Sequence, residues 1–166
     1  MVHSVDLTFD DDLDEAVRAR WRALSHLGLP SLSTHQGASN RPHITLLAGE
    51  TLDLHGRPVF EPFTVRLGAP LTFPRRSGAV LALGVVPTLE LLALHRRVAA
   101  VVEGGFDHTR PGAWTPHVTL SRRIVAEQTG AALEALASLG PLPDGEVLGL
   151  RYWNGDTRTV TELDAR

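Results

Sequence analysis

The 166-residue sequence predicts a mixed fold of strands and helices, in which one strand–helix–loop unit occurs twice and packs on its own copy about a pseudo-twofold axis. Three observations carry this expectation. Residues 3–9 and 78–86 read as strands. Each strand is followed by apolar residues at helical spacing and then by a polar loop. Each loop ends in the same phrase, Pro-His-x-Thr-Leu, at 42–46 and again at 116–120.

In HSVDLTF (3–9), Val5, Leu7 and Phe9 alternate with Ser4, Asp6 and Thr8, the period of a half-buried strand whose polar face is wet or lines a cleft. From Asp11 the period lengthens, and Leu13, Val17, Trp21, Leu24 and Leu27 mark a helix that Gly28 and Pro30 stop. The acidic run DDDLDE at 10–15 suits the positive end of that helix and is read as first-turn charge, not as a metal site. PSLSTHQGASN has loop composition, after which Pro42 opens a short strand with His43 at its start. FTVRLGAPLTF (63–73) and GAVLALGVV (78–86) read as a hairpin joined by PRRSG. Thr88 caps a second helix that runs to the stop at Gly104 and Gly105. The loop FDHTRPGAW leads through Pro116 into the strand HVTLSRRIV, and residues 126–140 form an Ala-rich helix. EVLGLRYW and TRTVTEL close the chain as strands across the turn NGD.

Residues 3–47 and 79–121 thus share one order. His43 follows His3 by 40 residues and His117 follows Ala79 by 38, so the two motifs hold matching places in the repeat. The length suits a single domain over residues 1–166 with two pseudo-symmetric lobes, expected as a monomer.

Composition narrows the chemistry. Apolar residues make up 43% and charged residues 21%, and no apolar run approaches the roughly 20 residues that span a bilayer, which predicts a soluble protein. MVHSVDLTFDDDLDE has neither a basic nor an apolar leader region, so a cytoplasmic location is expected. Cysteine is absent, which removes disulfides, thiolate nucleophiles and Cys-ligated metals. All 16 basic residues are Arg, so a Walker A loop, a Schiff base and a lysyl-nucleotide intermediate are excluded. A net charge of −3 does not suit nonspecific binding to long duplexes, but a small or terminal phosphate fits, with Arg as its partner.

On a strand, residues i and i+2 share a face, so His43 with Thr45, and His117 with Thr119, point one way while Ile44, Leu46, Val118 and Leu120 point the other. Two such strands about a pseudo-twofold present two imidazoles and two hydroxyls around one phosphate-sized point. In-line attack on a phosphodiester needs a base at the entering oxygen and an acid at the leaving one. Two imidazoles near pKa 6.5 supply one of each. Threonine hydroxyls donate to nonbridging oxygens and Arg offsets transition-state charge. Zinc is disfavoured because Thr at i+2 is a poor ligand and no third His or carboxylate is placed by the pattern; no metal and no cofactor are expected. No repeat singles out His3, His26, His35, His55, His95 or His108, which read as ordinary surface or core histidines; of these, His35 and His108 lie in the loops before the motifs.

Paired His-x-Thr-x motifs, HITL at 43–46 and HVTL at 117–120, in a duplicated unit of this size resemble the 2H phosphoesterase superfamily, and specifically the bacterial 2′,5′ RNA ligase-like proteins. The resemblance covers nearly the whole chain. It implies a bilobal α+β fold with antiparallel sheets facing a central cleft and helices outside. It also implies metal- and ATP-independent opening of 2′,3′-cyclic phosphates at RNA or nucleotide ends to 2′-phosphates, with reversible 2′,5′ ligation in some members. Carried over, His43 protonates the departing O3′, His117 activates water, and Thr45 and Thr119 hold phosphate oxygens. An Arg shortly after the second motif belongs to the pattern. Strand parity favours Arg123, but the family's spacing of five residues past the histidine selects Arg122. For the base, Trp114 and Phe73 are stacking candidates, ahead of Tyr152 and Trp153, and Arg41 and Arg151 add positive potential. Other readings are hydrolysis of 2′,5′ linkages or of ADP-ribose cyclic phosphate, and a non-catalytic RNA-end binding module; a mere binder needs no pair of titrating groups.

Overall fold

The computed structural model describes residues 1–34, 37 and 39–163, so His35 lies outside the described residues. In chain order the elements are β1 (His3–Phe9), α1 (Asp11–His26), β2 (Ile44–Gly49), β3 (Leu52–Leu54), β4 (Phe63–Val65), β5 (Leu67–Pro74), β6 (Ala79–Val85), α2 (Leu89–Val101), β7 (Val102–Gly104), β8 (His117–Ile124), α3 (Ala126–Ser138), β9 (Gly145–Asn154) and β10 (Thr159–Glu162). This is the expected α+β fold, with antiparallel pairing.

The main sheet runs β10-β9-β1-β2-β8-β6-β5, with β4 added beside β9. Its order is symmetric about the centre: β2, β1 and β9 on one side match β8, β6 and β5 on the other. The two motif strands are the inner pair, and the register joins them at one position only, Ile44 opposite Val118. Both residues are fully buried. The helices cover the apolar face of the sheet and reach across this seam, α1 packing against β8 as well as β1 and β9, and α2 against β2.

Local chemistry sets the ends of the helices. Asp10 accepts from the Leu13 N–H at 2.8 Å and Asp11, Asp12 and Asp14 fill the first turn of α1. Thr88 Oγ1 caps α2 through Leu91 N–H at 3.3 Å. That helix stops at Val101, short of the predicted glycines, because Val102–Gly104 leave it to pair with Leu52–Leu54, two short strands the sequence reading missed. Gly104 and Gly105 then turn the chain at φ of 81° and 88°.

Two further expectations are corrected. β1 is not half-buried: all seven residues are closed off, because strands flank both edges and the polar face is covered by Thr45 and Arg151. The stretch 63–73 is not one strand but two. At Arg66, held by Asp144 at 2.7–2.8 Å, the chain switches from pairing with β9 to pairing with β6. Among the described residues no helix is long and apolar enough to cross a membrane.

Candidate active site

The motif strands carry their histidines at their first turn into the sheet, His43 just before β2 and His117 as the first residue of β8, both half-buried. Each follows a proline, which fixes its own φ and drives the preceding residue into an extended conformation. The carbonyl two residues back then meets the ring: His43 Nδ1 lies 2.7 Å from Arg41 O, and His117 Nδ1 lies 2.8 Å from Thr115 O. A carbonyl only accepts, so Nδ1 carries the proton and donates it. Nε2 is left without a hydrogen-bond partner among the described residues in both halves, able to accept a proton when the ring is neutral and to give one when it is charged. The repeated Pro-His therefore fixes a tautomer, twice.

Around the Ile44–Val118 pair, antiparallel register sets His43 beside Thr119 and Thr45 beside His117. One step further, both strands bulge at the same place. In β2, Asp6 pairs with Thr45 and Val5 with Leu47, leaving Leu46 extra. In β8, Ala82 pairs with Thr119 and Leu81 with Ser121, leaving Leu120 extra. A bulge shifts the alternation of faces by one residue. Leu120 and Ser121 are accordingly both buried, and Arg122 returns to the open face despite its wrong parity with His117. A second irregularity before Ile124 leaves Arg123 exposed too.

The sequence matches the 2′-5′ RNA ligase superfamily over residues 9–156, which includes both motifs, both bulges and the seam between them. The chain belongs to that superfamily. It is thereby one of the 2H phosphoesterases, enzymes that act on phosphodiester bonds. Among solved structures, that of Kluyveromyces marxianus Usb1 with uridine monophosphate is similar in fold, at 14% identity and a TM-score of 0.50, covering 98% of this chain and 97% of that one. No curated protein sequence matches the chain.

Within this 2H phosphoesterase the two halves of the site differ in chemistry. Asp6, at 2% exposure, accepts from Thr45 Oγ1 at 3.0 Å on one carboxylate oxygen and from Ser4 Oγ at 3.0 Å on the other. Arg151, at 5% exposure, sets its Nε 3.7 Å from Asp6 and donates to Ser39 O at 3.3 Å. In the second half the matching positions are Ala82 and Leu71, so an ion pair is replaced by apolar groups. Thr45 spends its only hydroxyl proton on Asp6, whereas Thr119 Oγ1 makes no hydrogen bond among the described residues. The two hydroxyls, alike in the sequence pattern, thus differ in their partners. Asp6 was missed in the sequence reading; an acid in the middle of an alternating strand was its only signal.

Phe73 lies against His117, ring centroids 4.5 Å apart. Burial pulls the His117 imidazole below its ordinary value; the Thr115 carbonyl opposes this, and charge on His43 and His108 adds to the lowering. His108, stacked on Phe106 at 5.5 Å, is thus close enough to be felt at the site. The other sequence candidates are held elsewhere. Trp114 packs its ring 3.9 Å from His95 and donates Nε1–H to Thr45 O at 2.9 Å, which commits a face and the N–H of a ring expected to stack on a base. Tyr152 OH is bonded to His3 Nδ1 at 2.7 Å, Trp153 is half-buried on β9, and Arg41 reaches Asp14 at 3.1 Å. Among the described residues no three His, Asp or Glu side chains are grouped to hold a metal ion.

Proposed function

We propose that the protein opens 2′,3′-cyclic phosphates at RNA or nucleotide ends to 2′-phosphates by paired imidazole catalysis. The observation that carries this is the matched pair of histidines, each with Nδ1 tied to the carbonyl two residues back and Nε2 free. His117, whose burial favours the neutral ring, takes a proton from water through Nε2 as the water oxygen attacks phosphorus. The P–O3′ bond breaks, and His43 Nε2–H protonates the departing O3′. Solvent then resets both rings. Thr119, with its hydroxyl proton uncommitted, and Arg122 face the nonbridging oxygens; Thr45 ties the first motif strand to Asp6. Phe73 offers an apolar wall beside His117, and the uridine monophosphate in the similar Usb1 structure supports a nucleotide end in such a cleft.

A ribose 5′-OH in place of water carries the same step to a 2′,5′ linkage, with O3′ leaving as before, so ligation and its reversal follow from the same groups. The test is incubation with 2′,3′-cyclic AMP or a cyclic-phosphate-ended oligonucleotide in EDTA. Formation of the 2′-phosphate is the expected result; no turnover, or turnover only on adding metal, sinks the proposal. Binding without turnover on every cyclic phosphate would favour the binding module instead.

The pH dependence has a sign. With a depressed His117 value, the base stays unprotonated to a lower pH than a free imidazole, so the acid limb of kcat/KM falls below the ordinary value of about 6.5. Removing the shield in Phe73→Ala admits water to the ring and moves that limb upward. An acid limb that stays put in Phe73→Ala would show that the ring does not desolvate His117. The profile is bell-shaped and reports the coupled pair.

A further inference from the structure

Trp21 and Trp114 each donate an indole N–H across the seam to the backbone of a motif threonine. Trp21, on α1 of the first half and 2% exposed, bonds Thr119 O on β8 at 3.1 Å. Trp114, ahead of β8 in the second half, bonds Thr45 O on β2 at 2.9 Å. The two tryptophans come from different elements, so the duplication does not require this match. Each peptide so held is the one that enters a bulge, Thr45–Leu46 or Thr119–Leu120. A bulge is where a strand re-aims its side chains, and here strand pairing across the seam is limited to Ile44 and Val118. A backbone carbonyl has two lone pairs, so an indole can bond it without displacing a strand partner.

We propose that Trp21 and Trp114 are positioning residues: crossed clamps that pin the two bulges and so fix the relative placement of His43 and His117. This rests on the proposed two-histidine mechanism, in which both imidazoles act on one phosphorus. Arg18, its guanidinium carbon 5.6 Å over the Trp21 ring, and His95, tilted against Trp114 at 3.9 Å, hold the indoles in these orientations.

The decisive substitutions keep the ring and delete the donor. Trp21→Phe and Trp114→Phe, and replacement of each Trp by its benzothienyl isostere where the phenylalanine variant fails to fold, are compared with wild type on a 2′,3′-cyclic nucleotide. Misplacement of this kind lowers kcat, on the order of 10-fold to 100-fold, with KM little changed. Because both clamps fix one spacing, the double variant loses less than the product of the two single losses. NMR titration of the His117 imidazole, which needs no turnover, shows displaced titrations in the variants. Wild-type kcat together with unaltered titrations in folded donor-deleted proteins would overturn the clamps. A wild-type protein that turns over no cyclic phosphate would instead overturn the proposed reaction, and the titrations would still decide the clamps.

Discussion

His43→Ala and His117→Ala each lower kcat on a cyclic phosphate by about 10²–10⁴-fold, the usual worth of one positioned acid or base. Loss on this scale comes without loss of the fold, since both side chains are half-buried at the start of their strands and their hydrogen bonds within the protein reach only the carbonyl two residues back. The two variants differ in pH response. Without His117 the acid limb governed by its lowered value disappears, while without His43 that limb remains. Steady-state kinetics from pH 5 to 9 with unfolding curves for each protein check this, and a variant with near-normal kcat removes that histidine from the mechanism.

Asp6→Ala has the largest expected effect on stability. It strands the Arg151 guanidinium at 5% exposure with its Nε already lacking a hydrogen bond, and removes the acceptor for both Thr45 and Ser4. Breaking one partner of a buried ion pair costs about 3–5 kcal/mol, because the surviving charge is left without compensation. The second half of the sheet shows what restores balance, since it carries Ala82 and Leu71 at the matching places. Asp6→Ala combined with Arg151→Leu is therefore expected to recover much of the loss. Urea denaturation of the two single variants and the double variant measures the coupling; equal midpoints for Asp6→Ala and wild type would show that the pair contributes nothing. In the double variant Thr45 regains its hydroxyl proton, which makes the halves of the site alike.

The repeat could be read from the sequence because it is written in residue types: Pro fixes the approach, His and Thr share a face, and the intervening aliphatics have nowhere to go but the core. Equal spacing from the preceding strand did the rest. What the period could not disclose was the extra residue in each motif strand. Leu46 and Leu120 look like ordinary members of an alternation, and only pairing with a neighbour shows that the count slips there. Parity counting therefore selects Arg123, while the bulge returns Arg122 to the open face. Asp6 and Arg151 are far apart in sequence and meet only because β1 lies between β2 and β9. Trp114 reads as a free aromatic in a loop until His95, from α2, is packed on it. Three-residue strands such as β3 and β7 are too short to show any period.

The pairing of Ile44 with Val118 means that each half closes the other's sheet. Separated at the seam, β2 and β8 would both be edge strands, offering unpaired N–H and C=O groups to any passing chain. The protein resolves that hazard by self-complementarity: the edge each half must hide is covered by the strand that carries the other half's His-x-Thr motif. The juxtaposition of the two motifs and protection from edge-to-edge aggregation are thus one requirement, met by the same pairing.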